Sequence, residues 1–350
     1  MTIRTLALLL AAVIAVGCEA PRLRAPSPPL PALTVHTLML PSASASGVSL
    51  DCLAYDRAHH RVWVPAGETG AVAVVDTADD HITLVRGFAT AEMERHGTRR
   101  LVGPSSATVG NGVVYVGNRA DSSVCAVDAE SLRLGPCLTL ASMPDGLAYV
   151  ASAKEVWATT PRQRSIAILD AADAGALTWK GEIDLAGAPE GFAVDNARGV
   201  FYTNLEDRDR TLTVDIVSRQ VVCTWLPGCG EAGPRGLALD HRRNVLVVAC
   251  PDHVVALDAG HDGTRLSAMN IGDGLDSIDL VESRHELYMA AARAATLTIA
   301  HLDAQGGLTP LAIAATRAGA RNAVATDEGV AYVTDGGEGK ILVVTPRLGD

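Results

Sequence analysis

The chain has 350 residues, with 29 lysines and arginines against 40 aspartates and glutamates, and a formal net charge of −11. Acids and bases are interspersed, so no basic face is offered to a phosphate backbone, and a nucleic-acid partner is excluded. A chain of this length buries a large core, either as two ordinary domains or as one large β-domain.

The first element is a leader. Arg4 is the only charge before an apolar run over residues 6–16, and Gly17-Cys18 follows. A basic start, a short apolar run and small residues at the cut describe a secretory signal peptide. The run is too short to cross a membrane, which takes about 20 apolar residues. Ala15-Val16-Gly17-Cys18 also resembles a bacterial lipobox, although Ala15 stands where that motif prefers leucine. The resemblance implies that Cys18 is acylated and ties the chain to a membrane through a lipid anchor. Residues 19–31 contain Pro21, Pro26, Pro28, Pro29 and Pro31 and no apolar cluster, so they form an extended, semi-rigid stalk. The expected organisation is a signal peptide over residues 1–17, a stalk over 18–32 and a folded domain over 33–350.

Repetition dominates the remainder. Seven segments share an aromatic or apolar strand, a polar loop, and a second apolar strand that usually ends in aspartate. They include VWVPAGETGAVAVVD ending at Asp76, VYVGNRADSSVCAVD at Asp128 and VWATTPRQRSIAILD at Asp170. The later copies end at Asp215, Asp258 and Asp303, and the seventh at Thr345. Successive ends are 52, 42, 45, 43, 45 and 42 residues apart. A period of about 40–45 residues with several short strands per unit is the signature of propeller blades. A short strand of small residues precedes each unit (LDCLAYD, GPSSATV, PDGLAYV, PEGFAVD, PRGLALD, LDSIDLV, ARNAVAT), as suits the strand nearest the axis.

The predicted fold is therefore an all-β, seven-bladed β-propeller. The seventh unit lacks an outer strand, and the unassigned strand over residues 34–40 (TVHTLML) is expected to supply it and close the ring. The longest spacing marks an insertion over residues 88–103, a charged connection between the first two blades that either carries binding or is merely tolerated.

Aligning the inner strands puts Asp51, Pro104, Asp145, Glu190, Arg235, Asp276 and Arg321 at one position. Six charged side chains should thus converge on one mouth of the central channel, either as a site for a polar ligand or cation or as mutually compensating ion pairs. No C-x-x-C-H, G-x-S-x-G or H-E-x-x-H pattern occurs, so no catalytic residue and no metal ligand is assigned. His96, in the insertion, is the one histidine to watch.

Six cysteines remain after Cys18, an even number that suits an oxidising compartment. Cys125 and Cys137 flank the turn joining the two outer strands of the second blade and can face one another. Cys229 can reach Cys250, with Cys223 as the competing partner, and Cys52 is expected to be a buried free thiol. The aromatics Trp63, Tyr115, Trp157, Tyr202, Tyr288 and Tyr332 are expected to pack between blades, whereas Trp179 and Trp225 should lie at the surface.

The copies VYVGNRADSSVCAVD and VFYTNLEDRDRTLTVD, which carry Asn118 and Asn204, resemble the YVTN/YncE-like propeller repeat over roughly residues 34–345. That family is functionally mixed, so the resemblance implies the fold more than an activity. PDGLAYV and PEGFAVD are also similar to pieces of gluconolactonase-like propellers, which hold a divalent metal on the axis through a Glu, Asn and Asp set. Carboxylates suit Ca²⁺, but Arg235 and Arg321 fall in the same ring and only Asn322 offers an amide. The expectation is a monomeric cell-envelope lipoprotein, non-enzymatic and without a cofactor, that binds a small polar ligand or a protein at the channel mouth. The alternative is a metal-dependent hydrolase or lactonase with Ca²⁺ or another divalent cation on the axis.

Overall fold

A computed structural model describes residues 33–346 apart from 45–46, 96–97 and 174. The leader, Cys18, the stalk and His96 lie outside the described residues.

Seven four-stranded antiparallel sheets form the molecule. Blade 1 shows the plan from the inside outward: Ala54–Asp56, Arg61–Ala66, Ala71–Asp76 and Ile82–Arg86. We letter these positions a to d. Blade 7 takes strands a to c from Ala323–Ala325, Ala331–Asp335 and Lys340–Pro346, and strand d from Leu33–Met39. The closing register runs from Leu33 opposite Pro346 to Met39 opposite Lys340. The ring is thus closed by the N-terminal strand, one residue earlier than the sequence placed it. Among the described residues the only helix is three short 3₁₀ turns, and none is long and apolar enough to cross a membrane.

The aspartates that punctuate the repeat are turn formers. At the end of strand c, Asp76 accepts a hydrogen bond from the Ala78 N–H (2.9 Å), and Asp128, Asp170, Asp215, Asp258 and Asp303 do the same for residues two or three ahead. Asp56, Asp195 and Asp240 act likewise at the end of strand a. A short carboxylate that satisfies nearby backbone N–H groups stabilises the reversal of the chain.

The apolar core lies between blades rather than within them. Seven buried clusters each join neighbouring blades. Trp63 of blade 1 sits with Val114 and Val116 of blade 2, Tyr115 with Val156 of blade 3, and Trp157 with Phe201 of blade 4. All six strand-b aromatics are at most 2% exposed, as packing between blades requires. Trp179 is exposed at 49%, but Trp225 is buried at 8%, against the sequence expectation. Its ring packs against Tyr202, centroids 5.6 Å apart, and lies over Gly263, where any side chain would collide with it.

Asn118 and Asn204, the asparagines of the repeat, are fully buried. Asn204 donates to the Arg235 carbonyl of the next blade at 2.6 Å and accepts from the Thr211 hydroxyl at 2.7 Å. Asn118 donates to the Ala89 carbonyl at 3.1 Å. An amide at this position satisfies backbone groups that blade-on-blade packing buries.

The insertion is a β-hairpin rather than a loop. Ala91–Arg95 pairs with Thr98–Val102, from Ala91 opposite Val102 to Arg95 opposite Thr98.

Candidate ligand site at the channel mouth

The position aligned from the sequence is the entrance to strand a, and the glycine that follows it explains its rigidity. A side chain at Gly191 would meet the Arg235 carbonyl oxygen at 2.4 Å, and one at Gly236 would meet the Asp276 carbonyl oxygen at 2.9 Å. Adjacent inner strands therefore approach as closely as backbone allows. The preceding residues, Glu190 and Arg235, are held there and directed to the axis end of the ring.

Asp51, Asp145, Glu190, Arg235, Asp276 and Arg321 all line one cavity of about 690 Å³ at this end of the channel. Blade 2 breaks the row, because Pro104 is apolar and buried. Arg119, which leaves strand b of the same blade, fills the gap. Its guanidinium donates to Asp51 of blade 1 at 2.8 Å and to Asp145 of blade 3. Glu206, at the same exit in blade 4, accepts from Arg235 at 2.6 Å. Arg321 lies 3.3 Å from both Asp51 and Asp276, and the Asn322 amide donates to Asp51 at 3.1 Å.

Arg119 and Glu206 were missed by the sequence reading, although a signal existed. Both stand four residues after the strand-b aromatic, Tyr115 and Tyr202, where the other blades carry glycine, proline or alanine. A second aligned row at the strand-b exit finds them.

The network divides the carboxylates into compensated and uncompensated groups. Burial opposes ionisation of Asp51, but Arg321 and Arg119 outweigh it and hold this carboxyl below its ordinary range. Burial raises Asp145, with Asp51 and Glu206 adding to the rise and Arg119 opposing it. Burial likewise raises Asp276 against the pull of Arg321. Glu190 is pushed well above the usual carboxylate range, first by burial and then by the fields of Asp145 and Asp276. Among the described residues it alone of the five inner carboxylates has neither an ion pair nor a hydrogen bond.

The insertion hairpin forms part of the wall, since Met93, Arg100, Leu101 and Val102 line the same cavity. Arg162, at the strand-b exit loop of blade 3, touches the Met93 sulfur at 3.6 Å. Among the described residues no three histidine, cysteine, aspartate or glutamate groups come together to hold a metal ion. The guanidinium of Arg119 occupies the space between Asp51 and Asp145, where a cation bound by both would sit.

None of the cysteines lines the cavity, although Cys52 follows Asp51 and Cys250 precedes Pro251, both of which do. Cys125 stands opposite Cys137 across strands c and d of blade 2 and is bonded to it, and Cys229 is bonded to Cys250. Cys223 is a free, exposed thiol on the outer strand of blade 4. Cys52 is free and half-buried on the inner side of blade 1, with burial and the Asp51 charge pushing its thiol well up.

No family model matches the sequence, and no curated protein does. Solved structures share the architecture at low identity. A chain of the mitotic checkpoint complex is 15% identical, with 96% of this chain and 99% of that one aligned at a TM-score of 0.70. Hydrazine synthase from Kuenenia stuttgartiensis is 12% identical over 88% and 98% of the two chains, at 0.71. Virginiamycin B lyase from Staphylococcus aureus is 13% identical over 90% and 99%, at 0.67. At such identities the likeness establishes the seven-bladed propeller and nothing about activity.

Proposed function

We propose that this chain is an exported, lipid-anchored propeller of the YVTN/YncE-like kind that acts as a non-catalytic binding scaffold for a polar ligand at the channel mouth. The observation that carries this reading is the cavity of about 690 Å³ lined by charged side chains from all seven blades. Sites of about 300–1,000 Å³ with a few convergent polar groups are the usual seat of small ligands. Four of the mouth's carboxylates, Asp51, Asp145, Asp276 and Glu206, are tied to guanidiniums, which leaves neither a general base beside a nucleophile nor a metal cage. The Gly17-Cys18 signal and the proline stalk support a membrane-anchored, envelope location, and two cystine bridges suit an oxidising compartment.

The test is a thermal-shift screen of purified protein against polar metabolites, run beside assays with lactone and ester substrates. The expected outcome is a saturable stabilisation by at least one polar compound that Asp145→Ala abolishes, with no turnover. Lactone or ester hydrolysis lost on Asp145→Ala or Glu190→Ala, or stoichiometric Ca²⁺ in the purified protein, would replace this reading with a metal-dependent hydrolase.

A further inference from the structure

At the mouth, three guanidiniums face five carboxylates, and the pairing is selective. Arg119 serves Asp51 and Asp145, Arg321 serves Asp51 and Asp276, and Arg235 serves Glu206. Glu190 is left over, with Asp145 on one neighbouring blade and Arg235, already engaged with Glu206, on the other. An uncompensated carboxylate in a partly dehydrated site costs stability. A scaffold that pairs every other inner charge leaves such a group where a partner arrives from outside.

The wall of the same cavity carries cations that the inner network does not use, beside the acid Glu68. Arg100 on the hairpin and Arg162 on blade 3 both line it. Both are exposed, and among the described residues neither has an ion pair. Among the described residues the Met93 sulfur is the one hydrogen-bond partner of Arg162, so its guanidinium fork is free to take a carboxylate in bidentate fashion. Blade 3 and blade 4 are adjacent, so Arg162 and Glu190 belong to the same side of the mouth.

We infer that the mouth takes a zwitterion of the amino-acid or short-peptide class, its ammonium group on Glu190 and its carboxylate on Arg162 and Arg100. The inference rests on the channel mouth being a ligand site. A cavity of this volume has room for a di- or tripeptide. Ammonium binding supplies Glu190 with the counter-charge the fold withholds, and the unpaired guanidiniums of Arg100 and Arg162 on the wall set the direction of entry. Asp145, Asp276, Glu206 and Asp51 add their field at Glu190 and favour the same cation.

The experiment is isothermal titration calorimetry of the full chain with trialanine, N-acetyl-trialanine, trialanine amide, L-lysine and 6-aminohexanoate, and with glutarate and glucose as controls. Trialanine should bind, acetylation should weaken it at least tenfold, and amidation should weaken it several-fold. Glu190→Gln should make trialanine and its acetyl form equal, and Arg162→Ala, at an exposed position, should make trialanine and its amide equal. Equal affinity of wild type for the free and acetylated peptides, or preference retained by Glu190→Gln, overturns the inference. Binding of glutarate or glucose without any of the zwitterions sinks the inference and leaves the mouth as a ligand site. Binding of none of the probes sinks the inference as well, and the wider thermal-shift screen then decides whether the mouth binds anything.

Discussion

Glu190 is a residue whose charge the fold does not compensate. Its carboxyl is raised by burial and by neighbouring acids, so the folded state holds the proton more tightly than the unfolded state does. That contribution to stability is complete below the ordinary glutamate range and is lost as pH rises through the raised value. Glutamine keeps the shape and removes the loss. Glu190→Gln should match wild type in Tm near pH 4 and exceed it near pH 8, because only the carboxyl loses its bound proton over that range. Tm measured across that range by calorimetry checks this, and parallel curves for the two proteins would contradict it. The charges that raise Glu190 are Asp145 on blade 3, Asp276 on blade 6, Glu206 on its own blade and Asp51 on blade 1. The effect belongs to that assembly rather than to a single pair.

At the scale of the element, each blade is a meander too thin to hold a core of its own. Apolar side chains alternate to the two faces of the sheet, and each face is buried only by the blade beside it. Local devices therefore matter: aspartates fix the turns, buried asparagines satisfy strand ends, and one bridge joins strands c and d of blade 2. The Cys125–Cys137 bond closes a loop of 12 residues. Its removal by Cys125→Ala with Cys137→Ala should cost about 2–3 kcal/mol, near 4 °C in Tm, from the freedom returned to the unfolded chain. Calorimetry under non-reducing conditions reads the shift, and an unchanged Tm would show the bridge to be dispensable. The hairpin Ala91–Arg95 and Thr98–Val102 is the one element outside the repeat. It was legible as an insertion from the spacing of 52 but not as paired strands, because its polar alternation matches that of a charged loop.

The whole molecule depends on closing the circle. Strand d of blade 7 comes from the other end of the chain, so the segment that leads into blade 1 is held in the last blade by strand pairing over seven residue pairs. Deleting residues 33–39 leaves the edge of Lys340–Pro346 open, a template for association with other chains. The deletion variant should unfold at lower temperature in more than one step and lose its C-terminal strands first to limited proteolysis. The peptide LTVHTLM added in trans should restore a single transition, and one cooperative transition at the wild-type Tm without the peptide would refute the closure argument.

The repeat period, the strand count, the small inner strands and the spare N-terminal strand were all readable before any coordinates, because a propeller writes the same local physics seven times. The inner-strand row at the mouth, Asp51 to Arg321, was readable for the same reason: a fixed position in a repeated unit becomes a fixed place on a ring. Trp225 was misplaced because an outer strand is exposed only where the next blade leaves it uncovered, and that depends on Gly263, 38 positions away in the chain. What only the tertiary structure decided was the pairing of charges. Arg119 reaches across the gap left by Pro104 to carboxylates on both flanking blades, and Arg235 turns to Glu206, so Glu190 remains alone. Sequence alignment brings charges to a common circle, but which of them meet is set by side-chain reach across blades, a distance that no repeat encodes.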